Sequence, residues 1–308
     1  MRFSVFATRR IQVSGTHSCT LIVLLTVTNA RRIEMIKSIS RLLLNPHPLR
    51  SLAIRSIRKL KLGRWDERVR LGAVQRPHYA YCVWHAANLA CRLGYDRMSL
   101  LEFGVAGGNG LVNLECHAAE ASKLLPIGID VYGFDTGEGL PRPRDYRDLP
   151  YHWKGGFYKM DVPALRSRLK GAKLVLGEVE HTVPRFFSDH RPAPIGAIFF
   201  DLDYYSSTIA AFRIFDGGEE HFLPRVYCYL DDVIGSEVEL YNDYTGVRLA
   251  VHEFNESHKA KKLGNSYHLL SRPISESWQH QIVVYHDFEH PRYSEFVSAD
   301  EQQTPLRK

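Results

Sequence analysis

The sequence of 308 residues has few cysteines and no closely spaced pair of them. Its five cysteines are scattered, and no two are separated by only two residues. Neither a secreted disulfide framework nor a zinc site built from CxxC pairs is therefore predicted. Long apolar runs are also missing, because the longest early run is Leu21–Val27 and a membrane-spanning helix needs about 20 apolar residues. With 44% hydrophobic and 24% charged residues, the composition is instead typical of a globular protein.

Acidic residues are nearly absent from the first part of the chain. Residues 1–64 contain 13 lysines and arginines but a single acid, Glu34, whereas the rest of the chain has more acids than bases. We therefore divide the chain into a basic N-terminal arm, residues 1–64, and one domain, residues 65–308. Because the positive charge lies outside the predicted domain, we expect no nucleic-acid partner.

The N-terminal arm allows three interpretations. Met1–Ala30 has the outline of a signal peptide, with basic residues before a short apolar stretch. The basic region is long, however, and Gly15, His17 and Cys19 crowd the apolar stretch, so we favour a cytoplasmic protein. In that case the arm is a partly disordered leader, or the true start is Met35.

Residues 49–61 have the pattern of a basic amphipathic helix. One face carries Leu49, Leu52, Ala53, Ile57 and Leu60, and basic residues surround the rest. The favoured interpretation is a packing helix with a solvated basic face. The alternative is weak contact with an anionic membrane surface.

From residue 99 onwards, short apolar runs alternate with helix-like segments. The predicted strands are Ser99–Phe103, Ile129–Phe134, Lys173–Leu176, Ile195–Phe200, Val226–Leu230, Tyr267–Leu270 and Gln281–Tyr285. The predicted helices are Leu111–Leu124, Thr182–Ser188, Ser206–Phe215 and Gly246–Lys261. Apolar strands separated by helices predict an α/β fold in which helices cover both faces of a parallel sheet.

Acidic residues gather where these strands end. The set is Glu102, Asp135, Glu178, Asp201, Asp203, Asp231 and Asp232. In open α/β sheets the carboxyl ends of the strands form the edge at which ligands bind. The pattern therefore predicts one site at that edge.

A glycine-rich turn, EFGVAGGNG over residues 102–110, follows the first strand. Gly104 permits a tight turn, and Gly107 and Gly108 let a ligand approach the backbone without a Cβ in the way. The spacing matches neither GxGxxG nor the nucleotide loop GxxxxGK[ST]. A purely structural turn is the alternative.

Two further acids suit a nucleoside ligand. Asp135 can accept hydrogen bonds from a ribose diol, and Glu178 is expected near the adenine. Their alternative roles are structural: Asp135 would cap the turn over residues 135–139, and Glu178 would lie at a helix N-terminus.

The four remaining acids form a second group. Asp201 and Asp203 end one strand and Asp231 and Asp232 end the next, so their carboxylates should converge and repel, which raises their pKa values. A hard divalent cation would relieve this repulsion, and the absence of His and Cys from these motifs favours Mg²⁺ or Mn²⁺ over zinc. The alternative is a cleft without metal, whose acids are satisfied by lysine, arginine or water.

Taken in order, these motifs resemble class I S-adenosylmethionine-dependent methyltransferases. The likeness is closest to the macrocin O-methyltransferase family, which methylates sugar hydroxyls on natural products. It is carried by EFGVAGG (102–108), FDTGEGLP (134–141), GGF (155–157), HTVPRFF (181–187), DLDYYSST (201–208), LDD (230–232) and GVRLAVHEF (246–254). The resemblance implies a Rossmann-like, seven-stranded methyltransferase sheet with its last strand antiparallel, and the pattern at 49–61 adds a helical N-terminal extension.

The resemblance also implies roles for individual residues. S-adenosylmethionine would lie over Gly104–Gly108 with its ribose on Asp135. Asp201, Asp231 and Asp232 would bind Mg²⁺, and Asp203 would be the catalytic base. The chain departs from the family pattern at Leu202, where glycine is usual, and at Val233, where tyrosine is common.

The expected function is Mg²⁺-dependent O-methylation of a small-molecule acceptor, a hydroxyl on a sugar or glycosylated natural product. One alternative is a metal-dependent nucleotide-sugar glycosyltransferase that uses the DxD motif at 201–203. Another is a non-catalytic scaffold with a methyltransferase-like fold. The sequence leaves the identity of the acceptor and a homo-oligomeric state open.

Overall fold

Seven strands form one mixed sheet in the order β3-β2-β1-β4-β5-β7-β6. The structure, a computed structural model, describes residues 48–272 and 274–298. The strands are β1 (Arg97–Phe103), β2 (Gly128–Asp135), β3 (Lys173–Leu176), β4 (Ile195–Phe200), β5 (Phe222–Leu230), β6 (Lys261–Asn265) and β7 (Ile282–Asp287). Strands β1 to β5 are parallel, whereas β7 is antiparallel to both β5 and β6. The predicted fold class is confirmed, including the antiparallel last strand.

Helix α1 (Pro48–Leu60) precedes the sheet in the chain. Later helices cover both faces of the sheet: α2 (Trp65–Arg70), α3 (Pro77–Arg92), α4 (Asn109–Leu124), α5 (Val162–Arg168), α6 (Val179–Thr182), α7 (Phe186–His190), α8 (Tyr205–Phe212), α9 (Gly246–Ser257) and α10 (Tyr267–Leu270). Because side chains alternate along a strand, Met98 and Leu100 of β1 join the core under α2 to α4, whereas Leu101 and Phe103 join the core under α7 to α9. The two cores explain why the central strands are apolar throughout.

Two predicted elements near the C-terminus were wrong. The segment Tyr267–Leu270, predicted as a strand, is the short helix α10. The helix predicted over Gly246–Lys261 ends at Ser257, and Lys261 instead begins the edge strand β6. The segment Tyr267–Leu270 is too short for its periodicity to distinguish a strand from a helical turn. Strand β6 buries only Leu263, so its sequence does not show the alternation typical of a strand.

The chain divides into two compact units, Met1–Lys59 and Leu60–Lys308. The predicted domain boundary at residues 64 and 65 remains a prediction. The helix predicted over residues 49–61 is confirmed as α1, where Leu52 and Leu60 are exposed. No helix among the described residues is long and apolar enough to cross a bilayer. The interpretations of Met1–Ala30 and of Met35 concern residues outside the described ranges.

The order of the strands places a crevice between β1 and β4. The chain runs outward from β1 to β3 and then returns to β4 on the other side of β1. At such a reversal the connections leave in opposite directions and open a crevice at the carboxyl ends of the strands. The loops that follow β1 and β4 therefore face each other across this crevice.

Candidate active site

A cleft of about 640 Å³ lies at the carboxyl edge of the sheet. All ten residues predicted as site residues line it: Glu102, Gly104, Gly107, Gly108, Asp135, Glu178, Asp201, Asp203, Asp231 and Asp232. They come from the ends of five different strands, and the parallel direction of those strands brings them together. The structure thus places all ten residues around one cleft, and their roles as cofactor-binding, metal-binding and catalytic residues stay predictions.

The glycines of the first turn differ in what surrounds them. A Cβ on Gly104, whose φ is +85°, would lie 1.7 Å from the carbonyl oxygen of Asp201, and a Cβ on Gly108 would lie 2.2 Å from Leu165 Cδ1. Gly107 has no atom within 4 Å of an added Cβ. Gly104 and Gly108 are therefore required by the fold itself, and only Gly107 is open towards the cleft.

Asp135 anchors this turn. Its Oδ2 accepts hydrogen bonds from the amides of Val105 (2.9 Å) and Ala106 (2.8 Å), and its Oδ1 accepts one from the amide of Gly137 (2.6 Å). The structural role considered for Asp135, capping the turn that follows β2, is thus present. A carboxylate has about four acceptor positions, so one remains for a ligand.

Glu178 is exposed and occupies the N-cap position of α6, but its side chain makes no capping hydrogen bond. Its carboxylate lines the cleft on the side of β3. Both interpretations of this residue, an acid at a helix N-terminus and an acid facing a ligand, are compatible with this position.

Glu102 is almost fully buried, with 1% of its surface exposed. The hydroxyl of Tyr79 donates to its Oε1 at 2.8 Å, whereas Oε2 has no partner among the described residues. Burial raises the pKa of Glu102 to about 8. Glu102 therefore lines the cleft and has one carboxylate oxygen, Oε2, that can still accept a hydrogen bond.

Glu102 should also govern part of the pH dependence of stability. A buried carboxyl whose pKa rises from 4.5 to about 8 on folding disfavours the folded state once the unfolded chain ionises. We expect the free energy of unfolding to fall by up to about 4 kcal/mol from this group as the pH rises from 4.5 to 8. In Glu102→Gln this contribution should vanish, which urea unfolding at pH 5 and pH 8 measures.

The exposed residue Glu219 offers a matched control, because Glu219→Gln removes the same charge from the surface. It should keep the pH dependence of the unmodified chain. Equal slopes in Glu102→Gln and Glu219→Gln would contradict the assignment of this effect to Glu102.

The four aspartates form the opposite side of the cleft. Asp232 accepts from the amide of Asp203 (2.9 Å) and from the hydroxyl of Tyr241 (3.0 Å), while Asp231 accepts from the hydroxyl of Tyr229. No hydrogen bond reaches the carboxylates of Asp201 or Asp203 from the described residues. Two of the four acids are thus oriented by neighbours, and two are left unbonded.

The sequence predicted raised pKa values for the four acids, and burial and mutual repulsion raise those of Asp201, Asp203 and Asp232. Burial, followed by the charge of Asp232, raises the pKa of Asp203 to about 8. Burial and then Asp231 raise the pKa of Asp232 to about 7, and the same two causes raise that of Asp201 well above its usual range.

The chemistry of these donors fits a hard divalent cation, since all four are carboxylates that face one cleft. Their present arrangement is not a closed ligand cage, because within the described ranges no three His, Cys, Asp or Glu side chains are grouped tightly enough to hold one ion. Asp231 Oδ2 accepts no hydrogen bond from the described residues, whereas each carboxylate oxygen of Asp232 already accepts one.

Leu202 and Asp203 show how the departure from the family pattern is accommodated. The Leu202 side chain is buried in the core under α7 to α9. Asp203 has a φ of +60°, a left-handed backbone conformation that aspartate tolerates better than most residues. Leucine between the two acids therefore alters packing beneath the site while Asp203 still lines the cleft.

Sequence analysis missed several cleft residues. Arg76 precedes α3, and Tyr241 comes from the long connection between β5 and α9. The loop at 141–157 contributes Arg144 and Trp153 to the lining, whereas Tyr146 of the same loop is exposed and does not line the cleft. The missed residues lie in loops or at helix ends, where no spacing pattern distinguishes them.

Comparisons with known proteins give only distant likeness. The sequence matches no family model and no curated protein. The calicheamicin methyltransferase CalS11 is similar in structure, with 18% identity, coverage of 78% of this chain and 93% of that chain, and a TM-score of 0.44. An O-methyltransferase from Bacillus cereus in complex with SAH is similar with 13% identity, coverage of 82% and 96%, and a TM-score of 0.37. At these identities and scores we draw no inference about activity from the likeness.

Proposed function

We propose that this chain is an S-adenosylmethionine-dependent O-methyltransferase that acts with a divalent cation on a hydroxyl of a sugar or glycosylated small molecule. One observation carries the proposal. The open glycine turn and the four-aspartate cluster, which suit a nucleoside-bearing donor and a cation respectively, face the same cleft.

The donor side of the cleft fits such a cofactor in two respects. Gly107 leaves open space where a ligand can lie against the backbone, and Glu102 Oε2 is a buried acceptor without a partner among the described residues. When bound, S-adenosylmethionine supplies an electrophilic methyl group on a positively charged sulfur. Asp135 then fixes the shape of the turn, and Glu178 lines the cleft after β3.

On the acceptor side, Asp201, Asp231 and Asp232 would hold Mg²⁺ or Mn²⁺, which lowers the pKa of a bound hydroxyl. Asp203, whose carboxylate receives no hydrogen bond from the described residues, would take the hydroxyl proton while the acceptor oxygen gains the methyl group. The donor would leave as the neutral thioether. Positioning of the hydroxyl in line with the methyl group supplies much of the remaining acceleration.

Aromatic side chains beside the aspartates support a sugar or similar polyol as the acceptor. Trp153, Tyr158 and Tyr241 line the cleft, and the indole Nε1 of Trp153 is a buried donor without a partner in the described part of the chain. Apolar rings with a few placed polar groups are typical of small-molecule sites.

Ligand binding tests the function and its main alternative together. We expect S-adenosylhomocysteine to raise the melting temperature of the protein and to bind in calorimetry, whereas UDP and GDP should leave it unchanged. Stabilisation by UDP or GDP alone would favour the glycosyltransferase. Binding of neither S-adenosylhomocysteine nor Mg²⁺ would favour the non-catalytic scaffold.

Gly107→Ala should separate binding from folding. Because an added Cβ meets no atom of the described residues within 4 Å, we expect the variant to keep the melting temperature of the unmodified chain. The methyl group would occupy the space against which the donor lies, so the affinity for S-adenosylhomocysteine should fall about tenfold or more, a loss of about 1.4 kcal/mol or more. Calorimetry measures the affinity, and an unchanged value would place the donor elsewhere.

Mg²⁺ should stabilise the protein through the aspartate cluster. We expect MgCl₂ to raise the melting temperature, since a ligand at 100 times its dissociation constant adds about 2.7 kcal/mol to stability. Asp201→Asn should lose this increase, and Asp189→Asn, an exposed position before β4, should keep it. A full Mg²⁺ response in Asp201→Asn would show that the ion binds outside the cluster.

A further inference from the structure

Helix α1 has an apolar stripe along one side. On a helical wheel of about 100° per residue, an arc of about 140° holds only apolar residues and Ser56. The apolar stripe includes Leu52, Ala53, Ile57 and Leu60. A helix that packs on a core buries such a stripe, yet Leu52 is 44% exposed, Leu60 is 64% exposed, and no side chain from residue 50 to residue 60 is buried. The stripe is therefore an accessible apolar surface.

Basic residues occupy most of the remaining circumference of α1. Arg55, Arg58 and Lys59 lie on the helix, Lys61 follows it, and all four are exposed. The helix contains no acid, and residues 1–64 contain a single one, Glu34, against 13 lysines and arginines. The apolar stripe is thus bordered by positive charge that acids of the same segment do not balance.

The combination of stripe and charge matches the boundary between lipid headgroups and acyl chains. There the apolar side chains enter the acyl region, while lysine and arginine keep their charged ends among the headgroups. A nucleic acid would neutralise the cations but would leave the apolar stripe uncovered. With 13 residues α1 is about 20 Å long, shorter than the hydrocarbon core of about 30 Å, so it suits the surface of a bilayer and not its interior.

We propose that α1 is a docking surface for an anionic lipid bilayer, in which the apolar stripe enters the interface and Arg55, Arg58 and Lys59 contact the headgroups. Each lysine or arginine beside an anionic leaflet strengthens binding about fivefold, and burial of a leucine strengthens it about tenfold. This inference does not depend on the proposed function, because none of the residues that line the cleft belongs to α1.

Sedimentation of the full chain with lipid vesicles tests this docking surface. We expect the chain to bind vesicles of phosphatidylcholine mixed with phosphatidylserine, and to bind vesicles of phosphatidylcholine alone at least about tenfold more weakly. Salt at about 1 M, where the Debye length is about 3 Å, should remove most of this difference. Equal binding to the two kinds of vesicle at low salt, or binding to neither, would overturn the proposal.

Leu60→Gln tests the contribution of the apolar stripe. We expect it to weaken binding to the anionic vesicles about tenfold, because a leucine near the middle of the stripe no longer enters the interface. Glutamine is a good helix former, so the helix should persist, which circular dichroism checks. Leu71→Gln makes the same change at an exposed leucine outside α1 and should leave binding unchanged. Equal affinities of the two variants would contradict a role for the stripe.

The double variant Arg55→Gln with Arg58→Gln tests the charge and should weaken binding about 25-fold. The chain as a whole carries a net charge of +6, which attracts it to anionic vesicles by itself. The matched control is therefore Arg166→Gln with Arg185→Gln, which removes the same charge from exposed positions outside α1. Its affinity should change less than about twofold. An equal loss in both double variants would show that net charge draws the chain to the vesicles, and the docking surface would be wrong.

Discussion

Gly104→Ala is expected to destabilise the protein by more than about 3 kcal/mol. Two costs combine at this position. An added Cβ would lie 1.7 Å from the Asp201 carbonyl oxygen, and the φ of +85° disfavours any side chain. Neither cost can be relieved locally, because the obstacle is backbone at the end of the buried strand β4. Urea or thermal unfolding followed by circular dichroism measures the loss.

Gly107→Ala provides the comparison, since it makes the same chemical change three residues away in open space. The free energy of unfolding of Gly104→Ala should be lower than that of Gly107→Ala by most of the expected destabilisation. A Gly104→Ala protein as stable as Gly107→Ala would mean that β1 and β4 are not packed as described, and the convergence of the two halves of the site would no longer hold.

Asp203→Asn is expected to lower kcat by about 10²- to 10⁴-fold, the usual contribution of a general base. Asparagine has nearly the same shape and tolerates the left-handed backbone at this position, where φ is +60°. The fold and the affinity for S-adenosylhomocysteine should therefore be preserved, and only the capacity to accept a proton is lost. Methyl-transfer assays over a panel of sugars and glycosides, with calorimetry of S-adenosylhomocysteine, check both parts.

Asp189→Asn serves again as the control, because it makes the same substitution at an exposed position before β4. Its kcat and cofactor affinity should equal those of the unmodified chain. Full turnover by Asp203→Asn would remove this residue from the mechanism. A joint loss of turnover and cofactor binding would instead assign Asp203 a structural role.

The central strands could be predicted because they are apolar on both sides. Strands β3 and β4 were predicted with their observed bounds, and the acids at the strand ends then indicated the edge that carries the site. Strand β5 begins at Phe222, earlier than the predicted Val226. Pro224 hid the earlier start, because a proline argues against a central strand. The pairing of β5 with β4 shifts register over this stretch, which lets the strand include a residue without an amide hydrogen.

The rest depended on packing that leaves no local pattern. The open space at Gly107 and the obstruction at Gly104 follow from which atoms lie opposite each glycine, and both positions look alike in the sequence. Tyr241 reaches Asp232 from a long loop, and Arg76 owes its place in the cleft to the start of α3. Such contacts join residues distant in the chain, so composition and periodicity do not indicate them.

The contact between Gly104 and the Asp201 backbone has a consequence for how the two ends of the cleft communicate. The amide of Asp201 donates to the carbonyl of Phe103 at 2.9 Å, so the turn after β1 and the segment that carries Asp201 are joined by a backbone hydrogen bond as well as by close packing. We expect a ligand that displaces the turn to shift Asp201 as well. Binding on the donor side should then change the affinity of the aspartate side. By thermodynamic linkage, binding at the aspartates changes the affinity for the donor by the same factor.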